Sequence, residues 1–268
     1  MDSIKYWSAE NFEISSHMFN LHKRVNKMNR VSGSDKTGAN VYTYNELGFR
    51  GDSISKEGFK VMSIGCSFTE GVGVNDKETW PHLFSRLISN GVNFNFGTSG
   101  RSNDYVSRCL ISYFDTIKPD LVLIMYPHMS RREFYTENGG IEPYMPAVAW
   151  SYMLETDDGK NVQKNLFEIQ NDNEDYINWY KNHLLIKYFL EHKKCNWLWN
   201  GSFLYHDYTE FNRFDGDYSL FTDRGTDGGH PGPKTNLVYA QKLHEHIKIN
   251  FPDYLPNDEI NVEKLKFL

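Results

Sequence analysis

Cysteine is scarce: Cys66, Cys109 and Cys195 are all the chain has in 268 residues, and no two form a CxxC pair. An odd, sparse set of this kind argues against a disulfide scaffold and against a zinc ribbon. There is no run of about 18 apolar residues, so no membrane-spanning helix is expected. The first seven residues, Met1 to Trp7, lack the basic and apolar regions of a signal peptide, and a cytoplasmic location is expected. Positive charge is not in excess: 29 Lys and Arg stand against 35 Asp and Glu, a net charge of −6. A nucleic-acid-binding surface is therefore not expected. Internal repeats and low-complexity tracts are absent. His244-Glu245-His246 puts its histidines two apart on a helix, where they do not share a face, and Asp215-Gly216-Asp217 lacks the rest of a calcium loop. No metal and no cofactor are expected.

What is present is the composition of a folded core, with 39% hydrophobic, 15% aromatic and 24% charged residues. The length suits one α/β unit. Residues 1–57 are weakly periodic and read as an N-terminal extension packed on a main domain of residues 58–268. Within the extension, Ile14 to His22 suggests a short helix, Val31 to Gly38 a loop, and Tyr42 to Arg50 an extended segment turning at Gly48. In the main domain, short apolar runs at 59–64, 93–96, 121–126 and 196–199 read as strands. Helical spacing appears at 80–88, 102–117, 176–194 and 234–249. Residues 131–175 read as an irregular insertion. Strands alternating with helices predict a flavodoxin-like three-layer sandwich: a central parallel sheet of about five strands with helices on both faces. Ligands of such sheets sit beyond the carboxyl ends of the strands.

Three segments at those ends carry chemistry. Gly65-Cys66-Ser67-Phe68-Thr69-Glu70-Gly71 follows the first strand and sets a serine on a strand-to-helix turn. Its glycines also suit a plain tight turn. Asn95-Phe96-Gly97-Thr98-Ser99-Gly100-Arg101-Ser102 follows the second strand; a glycine-rich turn opening a helix exposes N–H groups that suit an oxyanion or a phosphate. Asp227-Gly228-Gly229-His230-Pro231 precedes the last helix, and an acid three residues before a histidine can orient the imidazole from the same loop. His82, inside a helix, reads as a surface or core residue; Trp197 and Trp199, alternating with Leu198, read as strand packing or alternatively as a groove lining.

Together these blocks, with the leader Asn45 to Gly51 and the stretch Gly73 to Pro81, resemble the SGNH (GDSL-type) hydrolase family over roughly residues 45–250. The likeness is esterase- and acetylesterase-like, through Gly100-Arg101-Ser102 in particular. The resemblance implies Ser67 as nucleophile, His230 as general base and Asp227 as the residue orienting it. It implies an oxyanion hole from the Ser67 and Gly100 N–H groups. Two departures stand out. Cys66 replaces the family's usual Asp and reads as a small buried residue. After the third strand the family has GxND, whose Asn is a third oxyanion donor; here the chain reads Tyr126-Pro127-His128-Met129-Ser130-Arg131-Arg132-Glu133, with no Asn. His128 or Ser130 is the candidate replacement, and Arg101 and Arg131 are candidates for substrate binding. The implied activity is a serine ester hydrolase removing an O-acetyl or other short acyl group from a carbohydrate or other small-molecule ester. The alternatives are a non-catalytic binding or structural module, and an O-acyltransferase using the same residues. The oligomeric state is left open.

Overall fold

The structure is a computed structural model that describes residues 32–34, 39–135, 141–144, 168, 170–202, 213–214 and 222–256. In chain order the strands are β1 (Ser32–Ser34), β2 (Val41–Thr43), β3 (Arg50–Gly51), β4 (Phe59–Gly65), β5 (Gly91–Gly97), β6 (Leu121–Tyr126), β7 (Arg132–Tyr135), β8 (Ile141–Tyr144) and β9 (Asn196–Gly201). The helices are α1 (Ser67–Glu70), α2 (Trp80–Arg86), α3 (Asn103–Ile117), α4 (Asp172–Lys193) and α5 (Pro233–Asn250).

The central sheet runs β3-β5-β4-β6-β9. β4 pairs in parallel with β5 and β6, and β6 with β9. β6 lacks polar alternation because both of its faces are covered, whereas β5 alternates Val92, Phe94 and Phe96 with the buried Asn93 and Asn95. One face of the sheet carries Met62, Ile64, Val122 and Ile124 against Val106, Leu110 and Ile117 of α3 and Trp179, Ile186 and Leu190 of α4. The other carries Val61, Leu121, Leu123 and Leu198 against Trp80 and Phe84 of α2 and Tyr239, Leu243 and Ile247 of α5. Alternate residues thus face opposite layers, which makes three layers.

The sheet departs from the expected all-parallel form at one edge. β3 pairs antiparallel with β5, Arg50 opposite Asn95. Two residues carry too little periodicity to read as a strand. Arg50 holds that edge: its buried guanidinium pairs with Asp76 at 2.7 Å and donates to the carbonyls of Glu70, Gly71 and Val74. The predicted loop at 31–38 contains β1, which forms a separate antiparallel ribbon with β2. The stretch 131–175 is not wholly irregular either, since β7 and β8 form another antiparallel ribbon. α4 begins at Asp172, before the expected Tyr176, because the Asn171 side chain accepts from the N–H groups of Asn173 and Glu174. Ile14 to His22 and Asp215 to Asp217 lie outside the described residues. No helix among the described residues is long and apolar enough to cross a membrane.

From β4 the chain steps outward to β5, then α3 carries it back across to β6 on the other side of β4. The strand order therefore reverses between β4 and β6, and the crevice beyond their carboxyl ends is where such sheets bind ligands.

Candidate active site

β4 ends at Gly65, where a Cβ would lie 2.2 Å from Thr69 Oγ1 and 2.6 Å from Met125 O; a side chain does not fit. The chain then turns at once into α1. The Cys66 carbonyl accepts the N–H groups of Thr69 and Glu70, and the Cys66 side chain is wholly buried among apolar residues. Cys66 is thus a packing residue at the turn. Ser67 follows at the first helical position, 7% exposed. Among the described residues, neither its hydroxyl nor its N–H meets a hydrogen-bond partner. α1 stops at Gly71, whose φ of 80° is a conformation that favours glycine.

The turn after β5 is fastened to this one. A Cβ on Gly97 would sit 2.1 Å from the Glu70 nitrogen, so the two backbones touch. Asn95 Nδ2 donates to the Thr69 carbonyl at 2.8 Å, and Thr98 N–H to the Gly65 carbonyl at 3.1 Å. Glu70 Oε2 accepts from both the N–H and the hydroxyl of Ser99, at 2.7 and 2.5 Å. Gly100 comes next with φ 72°, and among the described residues its N–H has no acceptor. Ser102 then caps α3 by accepting from Tyr105 N–H. Two backbone donors, on Ser67 and Gly100, are thereby left free on adjoining turns at the carboxyl edge of the sheet.

The histidine loop closes on the same place. Asp227 Oδ1 accepts the N–H groups of Gly229 and His230, and its Oδ2 lies 2.5 Å from His230 Nδ1. Thr226 N–H donates to the carbonyl of Gly73, just beyond α1, at 2.9 Å. Gly73 must be glycine there: its φ is 82°, and a Cβ would meet Asp227 Oδ1 at 2.8 Å. The His230 ring stands edge-on to Phe68, the neighbour of Ser67, with centroids 5.7 Å apart. With Nδ1–H given to Asp227, the lone pair is on Nε2, which meets no partner among the described residues. Burial pushes the Asp227 carboxyl up, but the hydrogen bonds from the His230 side chain and backbone outweigh it and hold the group below its ordinary value. It is an anion at neutral pH. No hydrogen bond joins Ser67 to His230 among the described residues; such contacts often tighten only around a substrate.

The other expected positions behave differently. His128 Nδ1 and Ser130 Oγ lie 2.7 Å apart, and Ser130 N–H also turns to His128 Nδ1, so the two candidate third donors engage each other in the turn after β6. Arg131 donates to the Arg101 carbonyl at 3.4 Å, which makes the two candidate substrate-binding arginines neighbours. Arg132 is committed to Asp175 at 3.1 Å. Trp197 and Trp199 are buried in the core with Trp179 and His183, where they pack the sheet. His82 is half-buried on α2 and pushed down to about 4, chiefly by burial, so it is neutral. His244 rests on Phe84 and His246 on Phe214. Among the described residues, no three His, Cys, Asp or Glu side chains are grouped to hold a metal ion. Sequence reasoning did not single out Glu70, Asn95 or Arg50 as braces of the serine turn. All three lie in segments the family resemblance marks, but their partners are distant in the chain, so nothing in the sequence names the pairing.

No family model matches the chain, and no curated protein matches it. Solved structures do. One is a psychrotrophic esterase from Pseudoalteromonas sp., 14% identical, covering 71% of this chain and 97% of that one at a TM-score of 0.36. Another is a carbohydrate acetylesterase family member from Sinorhizobium meliloti, 12% identical, covering 71% and 97% at 0.33. A third is a member of the lipolytic protein G-D-S-L family from Veillonella parvula, 12% identical, covering 72% and 98% at 0.31. At identities and TM-scores of this size the likeness carries no weight for the chemistry, which has to come from the side chains themselves.

Proposed function

We propose that the protein is a serine ester hydrolase of the SGNH type, with Ser67 as nucleophile, His230 as general base and Asp227 as its orienting anion. The observation that carries the reading is the His230 ring. Its Nδ1 is held by Asp227, its Nε2 is free among the described residues, and the ring stands edge-on to Phe68, the neighbour of Ser67. Ser67 Oγ attacks the acyl carbon while Nε2 takes its proton. The negative oxygen of the tetrahedral intermediate is stabilised by the free N–H groups of Ser67 and Gly100. The protonated His230 gives its proton to the departing alcohol, leaving an acyl-enzyme. Water, deprotonated by His230, then releases the acid and restores Ser67.

The substrate we favour is an O-acetyl or other short acyl ester of a carbohydrate. It is supported by the acetylesterase-like Gly100-Arg101-Ser102 and by Arg101 and Arg131 standing together beside the Gly100 turn. The test is covalent labelling by a fluorophosphonate probe, paired with turnover of a short-chain aryl ester. Wild type and Cys66→Ala are expected to take the label, and Ser67→Ala to take none. Label lost in Cys66→Ala and kept in Ser67→Ala transfers the nucleophile's role to the thiol. A wild-type protein with neither label nor turnover favours a non-catalytic binding module.

A further inference from the structure

Asn103, in the first turn of α3, is fully buried, and neither its Oδ1 nor its Nδ2 has a hydrogen-bond partner among the described residues. Withdrawing an amide from water with both ends unpaired is a penalty folded proteins seldom carry without a reason. The position of the residue supplies one. α3 is the crossover from β5 to β6, so it runs antiparallel to the strands, and its first turn lies at their carboxyl ends. Asn103 falls in line with Val106, Leu110 and Ile117, the stripe of α3 packed on Ile64, Val122 and Ile124. Helical side chains lean toward the helix N-terminus. Asn103 therefore leads that stripe out over the ends of β4 and β6, where Gly65 and Met125 are register partners and the Ser67 turn begins. Its neighbour Asp104 faces the other way, accepting from Asn178, Asn182 and the N–H of Glu133. The Gly100 N–H and the buried Arg101 Nε are also unpartnered among the described residues, so one short segment, Gly100 to Asn103, holds three unsatisfied donors. On the other side of the crevice, His128 and Ser130 are occupied with each other.

We propose that Asn103 Nδ2 is the third oxyanion donor, supplied by the turn after β5 in place of the Asn that the loop after β6 lacks. This rests on the hydrolase reading above: Nδ2 is unpaired in the resting protein because its partner is the negative oxygen of the tetrahedral intermediate.

The experiment compares wild type with Asn103→Leu and Asn103→Ser in three measurements: kcat and KM on a short-chain aryl ester, labelling of Ser67 by a fluorophosphonate, and thermal melting. Asn103→Leu is expected to lower kcat about 100- to 1,000-fold, with KM changed no more than about threefold. Its melting temperature is expected to stay level or rise, because an apolar group of similar size replaces an unpaired amide. Asn103→Ser, with a shorter donor, should retain the fold and lose kcat similarly. A structural role predicts the reverse: lower melting temperature and unchanged kcat per folded molecule. That result overturns the proposal, as does loss of kcat in His128→Ala or Ser130→Ala while the Asn103 variants turn over normally. In both cases wild-type turnover and Ser67 labelling leave the hydrolase reading standing. A wild-type protein with neither turnover nor label removes that reading and this proposal together.

Discussion

Glu70 offers a test of how the Gly100 turn, the proposed source of an oxyanion donor, is held. Its Oε2 takes two hydrogen bonds from Ser99, the residue before Gly100, at 2.7 and 2.5 Å. Hydrogen bonds to a charged group contribute about 1.5–3 kcal/mol each when sheltered. This pair lies at an exposed edge, where water recovers much of that, and Asn95 and Thr98 continue to fasten the turn. A net loss of roughly 1–2 kcal/mol in ordering the Gly100 N–H is the expected cost of Glu70→Ala, discounted for exposure. At 1.36 kcal/mol per factor of ten, that is about a 5- to 30-fold lower kcat, milder than the hundredfold or more expected on removing a donor outright. Glu70→Gln keeps one acceptor for the Ser99 N–H and should lose less. The assay is steady-state hydrolysis of a short-chain aryl ester, with KM nearly constant because the donor acts mainly in the transition state. Wild-type kcat in Glu70→Ala would refute the reasoning. So would a loss above about a thousandfold, which would mean that Glu70 meets the substrate itself.

Other consequences follow from the same geometry. Asp227→Asn keeps an acceptor for the Gly229 and His230 N–H groups but destroys the anion beside Nδ1; roughly a 1,000- to 10,000-fold fall in kcat with little change in melting temperature is expected. Asp223 caps α5 through the N–H groups of Lys234 and Thr235; burial pushes its carboxyl up, but these bonds outweigh it and hold it below its ordinary 3.8. Asp227 is lowered in the same sense. A depressed folded-state pKa stabilises the fold above the unfolded value and ceases to do so as pH falls through the folded one. Melting temperature should therefore drop below about pH 4, less steeply in Asp223→Asn, and equal slopes for variant and wild type would contradict this. Arg108 and Glu133 form a two-pronged ion pair at 3.0 and 3.1 Å, with side chains 6% and 0% exposed. Arg108→Met strands a buried carboxylate and should cost about 3–5 kcal/mol in chemical denaturation, whereas Arg108→Met with Glu133→Leu should return to within about 1 kcal/mol of wild type.

The parts of this protein that were legible in its sequence are those decided locally. Four apolar runs alternating with helical spacing implied a parallel sheet, because a strand covered on both faces needs no polar alternation. Gly65 to Gly71 and Asp227 to His230 announced themselves because a tight turn and an acid three residues from a histidine are written within a few consecutive positions. What tertiary structure alone decided are pairings between residues far apart in the chain, which leave no periodicity to read. The antiparallel edge at Arg50 depends on carbonyls twenty or more residues away. The Arg108–Glu133 pair joins a helix to a ribbon in a stretch expected to be irregular. The docking of Thr226 on Gly73 brings the histidine loop to the serine turn across about 150 residues. Asn103 is the sharpest case: in the sequence it is one more polar residue after a helix cap, and its unpaired amide exists only because packing removes water from around it and supplies nothing in exchange.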